Sequence, residues 1–321
     1  MFLRKTLTPA AAGIILLAGA LALAPAVPAT AQEVVQDEGA AYRAWHDASQ
    51  AADNAKAMAA AKAYIEKYPT GQYAEFIKKW YSTAQMTALD AAIKEKRTAD
   101  MIALGREILA GDPENLNVLY ALAFNVRRNE LLAAPPNFAN APAAVEFGKK
   151  AIALVESGKT LVGVANFDKD GTLAWLTQIL AVTEAKNGTA EQAIKLYQKS
   201  TSLAPGDPQI AARNLLAVVT LRQVKYAELA KTYNALPETD RGAAEPKPEV
   251  KAAKEALNAE ADALVDAAAA FVAFGKAKNL PAATVDRVNQ MLETVYKGRF
   301  PEDTALDGLK KILAAKGAPG A

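Results

Sequence analysis

No cysteine occurs anywhere in the 321-residue chain, and there is a single histidine, His46. Without thiols the chain has no disulfide staples and no thiolate metal sites, so its core must hold by packing alone. With one imidazole, a multi-histidine metal site cannot be assembled within one chain, and a histidine-based triad would have to run through His46. The helical pattern around His46 places it on the solvated side of the first helix. Net charge is also small, with 37 Lys+Arg against 35 Asp+Glu. That balance offers no overall field for a phosphate backbone, which argues against nucleic acid as a partner. Strand-like runs of alternating Val, Ile or Thr are nearly absent, which argues for an all-α chain. What is plentiful is alanine and other apolar residues, 51% in all. That is enough for one elongated or two compact helical domains.

Residues 1–31 read as a signal peptide rather than as part of the fold. Arg4 and Lys5 precede an uncharged apolar run over residues 10–24, and Ala29-Thr30-Ala31 is the small-x-small pattern that a signal peptidase cuts after. An apolar run of about 15 residues is short against the roughly 20 that a spanning helix needs. No cysteine follows the cut, so a bacterial lipid anchor is chemically excluded. The expected mature chain starts at Gln32, carries 35 charges of each sign, is periplasmic or secreted, and does not insert stably in a membrane.

The clearest helical unit runs over residues 188–205. Ala193, Leu196, Tyr197, Ser200 and Leu203 share one stripe at helical spacing, Gly188 ends the helix before it, and Pro205 ends this one. Similar pairs are expected along the chain. Residues 38–50 pair with 54–68, and 72–96 with a helix capped by Thr98. Residues 116–132 pair with a helix opening at Ala141 or Pro142, and 172–187 pair with 189–204. In a fifth pair, residues 210–223 turn back into 226–236. Pro69, Pro113, Glu156, Pro205 and Pro237, which end these pairs, stand 44, 43, 49 and 32 residues apart. Residues 238–248, with three prolines counting Pro237, read as a linker. Residues 249–316 then form three helices suited to capping a helical stack, the second opening at Pro281.

This arrangement resembles the tetratricopeptide (TPR) family of exported bacterial type. Gly188, Ala193, Tyr197 and Pro205, with Leu180 and Ala181 before them, match its helix-turn-helix pattern best, and Ala144, Ala151 and Ile152 match again. Ala57, Tyr64 to Pro69, Tyr73 and Ala74 look like a first unit. The pattern departs where Thr177 takes the place of a Trp, where Gly105 and Gly148 stand at aromatic positions, and in the long spacing. The resemblance covers roughly residues 38–237 and implies a right-handed helical-hairpin solenoid with a C-terminal helical cap. Hairpins of this kind cannot bury their apolar faces without a neighbour.

One motif carries a hint of catalysis. Phe167-Asp168-Lys169-Asp170-Gly171-Thr172-Leu173 looks like the first motif of haloacid-dehalogenase phosphatases, in which two Asp hold Mg²⁺ and one is the nucleophile. On that reading Asp168 and Asp170 would serve a Mg-dependent phosphohydrolase. The family's later motifs are missing, and a helix follows at once, so the simpler expectation is that Asp170 or Thr172 caps a helix starting near Leu173. An EF-hand fails on spacing, with Gly171 fourth and Ile179 twelfth. Asn187-Gly188-Thr189 spells a glycosylation sequon but sits where a turn and cap are needed. The pairs Lys78-Lys79, Lys149-Lys150 and Lys310-Lys311 read as solvated faces.

What remains is the concave wall of stacked hairpins. The resemblance places Trp175, Gln178, Val182, Lys186, Gln209, Arg213 and Leu216 on it, with Tyr81, Tyr120, Asn125 and Arg128 as weaker candidates. The expected function is a non-enzymatic scaffold, without cofactors, that binds a protein or peptide partner in the cell envelope on this face. A purely structural place in a larger envelope assembly is the other non-enzymatic expectation.

Overall fold

The computed structural model describes residues 29–317, with side chains from residue 37 onward. The signal-peptide expectation for residues 1–28 therefore lies outside the described residues, while residues 29–31 open the first helix. Every regular element among the described residues is helical, thirteen α-helices and one π-helical turn, packed in neighbouring pairs. The chain divides into two compact units, one through Ala84 and one from Gln85 onward.

The first unit holds α1 (Ala29–Gln50), α2 (Asn54–Lys67) and the start of α3 (Ala74–Lys94). Asp53 caps α2 by accepting from Lys56 N at 3.1 Å. Ala57 and Ala61 are fully buried, and their small side chains let the helices approach closely around Tyr64 and Ile77. Trp45 meets Phe76 and Trp80 edge-on at 5.5 and 5.4 Å. Tyr81, a weaker site candidate, packs against this core. His46 is half-exposed beside Asp47.

The second unit continues with α4 (Thr98–Gly111) and α5 (Leu116–Val126), which runs on into a π-helical turn, Arg127–Leu131. Then come α6 (Ala141–Glu156), α7 (Lys169–Asn187), α8 (Ala190–Leu203) and α9 (Pro208–Asn234). The short α10 (Glu238–Arg241) interrupts the segment read as a linker. It is followed by α11 (Pro248–Ala277), α12 (Ala282–Arg299) and α13 (Asp307–Gly317). Leu119, Leu122, Phe147 and Leu176 centre one core, and Leu264, Phe271 and Leu292 centre another under α9 and α11. Ala193 and Tyr197 of α8 pack with Ala181 and Val218, so the clearest sequence stripe is core.

Three sequence expectations change. The fifth pair is one continuous helix: α9 spans 27 residues, because Gln223-Val224-Lys225 contains no Gly or Pro to stop it. Arg222 and Lys225 lie one turn apart there and both reach the buried carboxylate of Glu260 on α11, at 3.0 and 3.2 Å. Thr98 is the first residue of α4 rather than its cap, and Arg97 precedes it without a capping side chain. Helix α7 begins at Lys169 and is capped by Asp168, whose Oδ1 accepts from Gly171 N at 2.9 Å, so neither Asp170 nor Thr172 caps it. A Cβ at position 171 would stand 2.1 Å from Asp168 Oδ2, so Gly171 leaves the room that the capping carboxylate occupies.

Candidate functional site

The polar centre of the second unit is a chain of side chains that crosses four elements. Arg127, in the π turn, is 3% exposed and lies 4.1 Å over the ring of Trp175 on α7. Its Nε donates to Gln178 Oε1 at 2.9 Å, and a second guanidinium nitrogen donates to the same oxygen. Gln178, 1% exposed, passes the chain on by donating from Nε2 to Asn214 of α9. Asn214 Nδ2 donates to Ser200 Oγ at 2.9 Å and to the Tyr197 carbonyl at 3.3 Å, both on α8. Ser200 Oγ closes the path on the Ala174 carbonyl at 2.8 Å. Among the described residues no carboxylate pairs with Arg127, and a guanidinium buried without a counter-ion is costly unless other groups compensate. Burial, and next the like charge of Arg213, push its pKa down to about 10. It still carries its proton at neutral pH.

Beside this chain lies an open groove of about 570 Å³ between the π turn with its following loop, α7 and α9. Leu131, Leu132, Val182, Leu216 and Leu221 supply apolar walls, and Lys186 and Arg213 stand exposed among them. Neither cation forms an ion pair with a described carboxylate, and no Asp or Glu lines the groove. Lys186 Nζ sits 6.0 Å over the Phe138 ring. Tyr197 also lines the groove, and burial raises its pKa to about 12, which keeps the phenol neutral.

Of the seven residues assigned to the concave wall, the structure brings five to this groove: Gln178, Val182, Lys186, Arg213 and Leu216. Gln178 borders it with its amide already spent on Arg127 and Asn214. Gln209 is exposed in the first turn of α9, away from the lining, and Trp175 borders a second cavity instead. The Arg127 side chain occupies the space between Trp175 and Gln178, which divides a stripe that is continuous on α7 itself.

The weaker candidates separate as well. Tyr120 lines the second cavity with Trp175. Asn125 Nδ2 donates back to the Ala121 carbonyl at 2.8 Å, and Arg128 is exposed and lines neither cavity. Sequence reasoning missed Leu131, Leu132, Pro136 and Phe138. It also missed Arg127, whose burial follows from the π turn: one extra residue per turn rotates the following side chains out of α-helical register.

The surroundings of the Asp168–Asp170 motif are plain. Asp168 follows a loop, Asp170 is exposed on α7, and no strand is present among the described residues. No cluster of three or more His, Cys, Asp or Glu suited to a metal ion occurs among the described residues. No helix among them is long and apolar enough to cross a membrane. Comparison of the chain with protein-family models, characterised proteins and solved structures gives no match.

Proposed function

We propose that this protein is an exported, non-enzymatic binding protein of TPR-like helical-hairpin solenoid type. Its groove between the π turn, α7 and α9 takes an extended segment of a protein or peptide partner in the periplasm or outside the cell. The observation that carries the reading is the groove itself: an apolar lining on which Lys186 and Arg213 stand without ion-pair partners. Such a surface suits groove packing with polar clamps, the way helical grooves hold peptides. The signal-peptide pattern in the sequence of residues 1–31 supports the envelope as the place. Against the phosphohydrolase reading, which rests on the sequence motif alone, Asp168 Oδ1 is engaged as a helix cap and no strand precedes it among the described residues.

The test is a double charge reversal, Lys186→Glu with Arg213→Glu. Both side chains are exposed, so the fold should persist by circular dichroism while recovery of an envelope partner falls about tenfold or more. Unchanged recovery with the same partner would place binding elsewhere.

A further inference from the structure

The second cavity, about 590 Å³, lies where the loop before α7 and the N-termini of α7 and α9 meet α5. Its volume is in the range of small-molecule sites. Its lining differs in kind from that of the groove. Tyr120, Phe167 and Trp175 contribute aromatic rings, while Asn166, Asp168, Thr172 and Asp207 contribute polar groups, with no Lys or Arg among the lining residues.

Both acids are helix caps that use one oxygen. Asp168 Oδ1 accepts from Gly171 N, and Asp207 Oδ1 accepts from Gln209 N at 2.8 Å and Ile210 N at 3.1 Å. Each Oδ2 makes no hydrogen bond within the described residues. Thr172 is 8% exposed, yet its hydroxyl has no hydrogen-bond partner there and it borders the cavity. A hydroxyl so placed, in a cavity wall, is open to water or to a ligand's polar group. The loop that forms the outer wall is held in place: Asn117 donates from Nδ2 to the Val162 carbonyl at 3.0 Å and accepts from Val162 N at 2.9 Å.

The charges select among ligand classes. An anion would face two carboxylates and no lining cation. A cation would compete for Trp175 with Arg127, already 4.1 Å over that ring, and be repelled by it. A purely apolar ligand would leave the Thr172 hydroxyl and the carboxylate oxygens without water or partner. A neutral polyhydroxylated ring meets every condition. Its apolar C–H face lies on an aromatic ring, and its hydroxyls donate to carboxylate oxygens and accept from Thr172.

We propose that this cavity is a sugar-binding site in which a pyranose ring stacks on the face of Trp175 opposite Arg127, and the Oδ2 atoms of Asp168 and Asp207 accept from its hydroxyls. The proposal is independent of the partner groove, and its test is separate. Maltotriose, cellotriose and the N-acetylglucosamine trimer are titrated to about 10 mM into the full chain, followed by calorimetry and by the Trp175 indole N–H resonance. At least one should bind with a Kd in the range of about 0.1–5 mM and shift that resonance. Trp175→Ala should weaken it about tenfold or more, and so should Asp168→Asn with Asp207→Asn, in which Asn still caps both helices. The Lys186→Glu, Arg213→Glu variant should bind the sugar as the parent does. Absence of binding by all three sugars, unchanged affinity in the Asn variant, or tetramethylammonium binding at Trp175 in preference to sugar would each overturn the proposal.

Discussion

Arg127 shows how far a single side chain can reach. Its guanidinium is buried with an amide oxygen and a Trp ring for company, and that amide is itself held by Asn214. Gln178→Leu would strip Arg127 of its acceptor and leave the Asn214 oxygen unpaired. A loss of about 2–4 kcal/mol is expected, read by urea denaturation. Two glycines, Gly105 and Gly148, make a sharper paired test. A Cβ at Gly105 would fall 2.4 Å from Leu122 Cδ1 in the core, whereas one at Gly148 meets nothing within 4 Å. Gly105→Ala should cost about 1–3 kcal/mol by overpacking, and Gly148→Ala should gain about 0.5–1 kcal/mol by helix propensity. Opposite signs in thermal melts check this. Neither difference was legible in the sequence, because what separates the two glycines is a neighbour from another helix. For the same reason the sequence pointed to Arg128 as a weaker wall candidate, whereas the structure buries Arg127 in the π turn and leaves Arg128 exposed.

Among the elements, those bounded by strong local signals were legible and those without were not. Gly188 with Thr189, Pro205 with Asp207, and Asp53 mark ends that the backbone needs to satisfy, and the structure uses them as turn or cap. The break expected between Gln223 and Tyr226 had no such residue behind it. Instead Arg222 and Lys225 hold Glu260 from one helical face, which requires the helix to continue between them. Hydrogen exchange should therefore show amides 223–226 protected like their neighbours in α9. Rapid exchange confined to those amides would restore the turn. The seven candidate site residues do not share one surface, since the Arg127 side chain from α5's π-helical extension separates Trp175 from the groove and Gln209 lies outside its lining.

For the molecule as a whole, the all-helical class was legible from missing strand patterns and repeated helical stripes, while the irregular 44, 43, 49 and 32 spacing gave no register for whole surfaces. Which helix faces are covered depends on packing between segments far apart in sequence. The groove is an example: it joins Leu131, Val182 and Leu216 from three elements. Its role as a partner site is the central claim, and site-specific photo-crosslinking in the native envelope tests it most directly. A benzophenone amino acid at Leu216 should give a discrete covalent adduct under ultraviolet light, reduced when Lys186 and Arg213 are reversed. The same label at Val224, exposed on α9 outside the groove, should give none. No adduct at Leu216, or the same adduct with equal yield at both positions, would contradict the account.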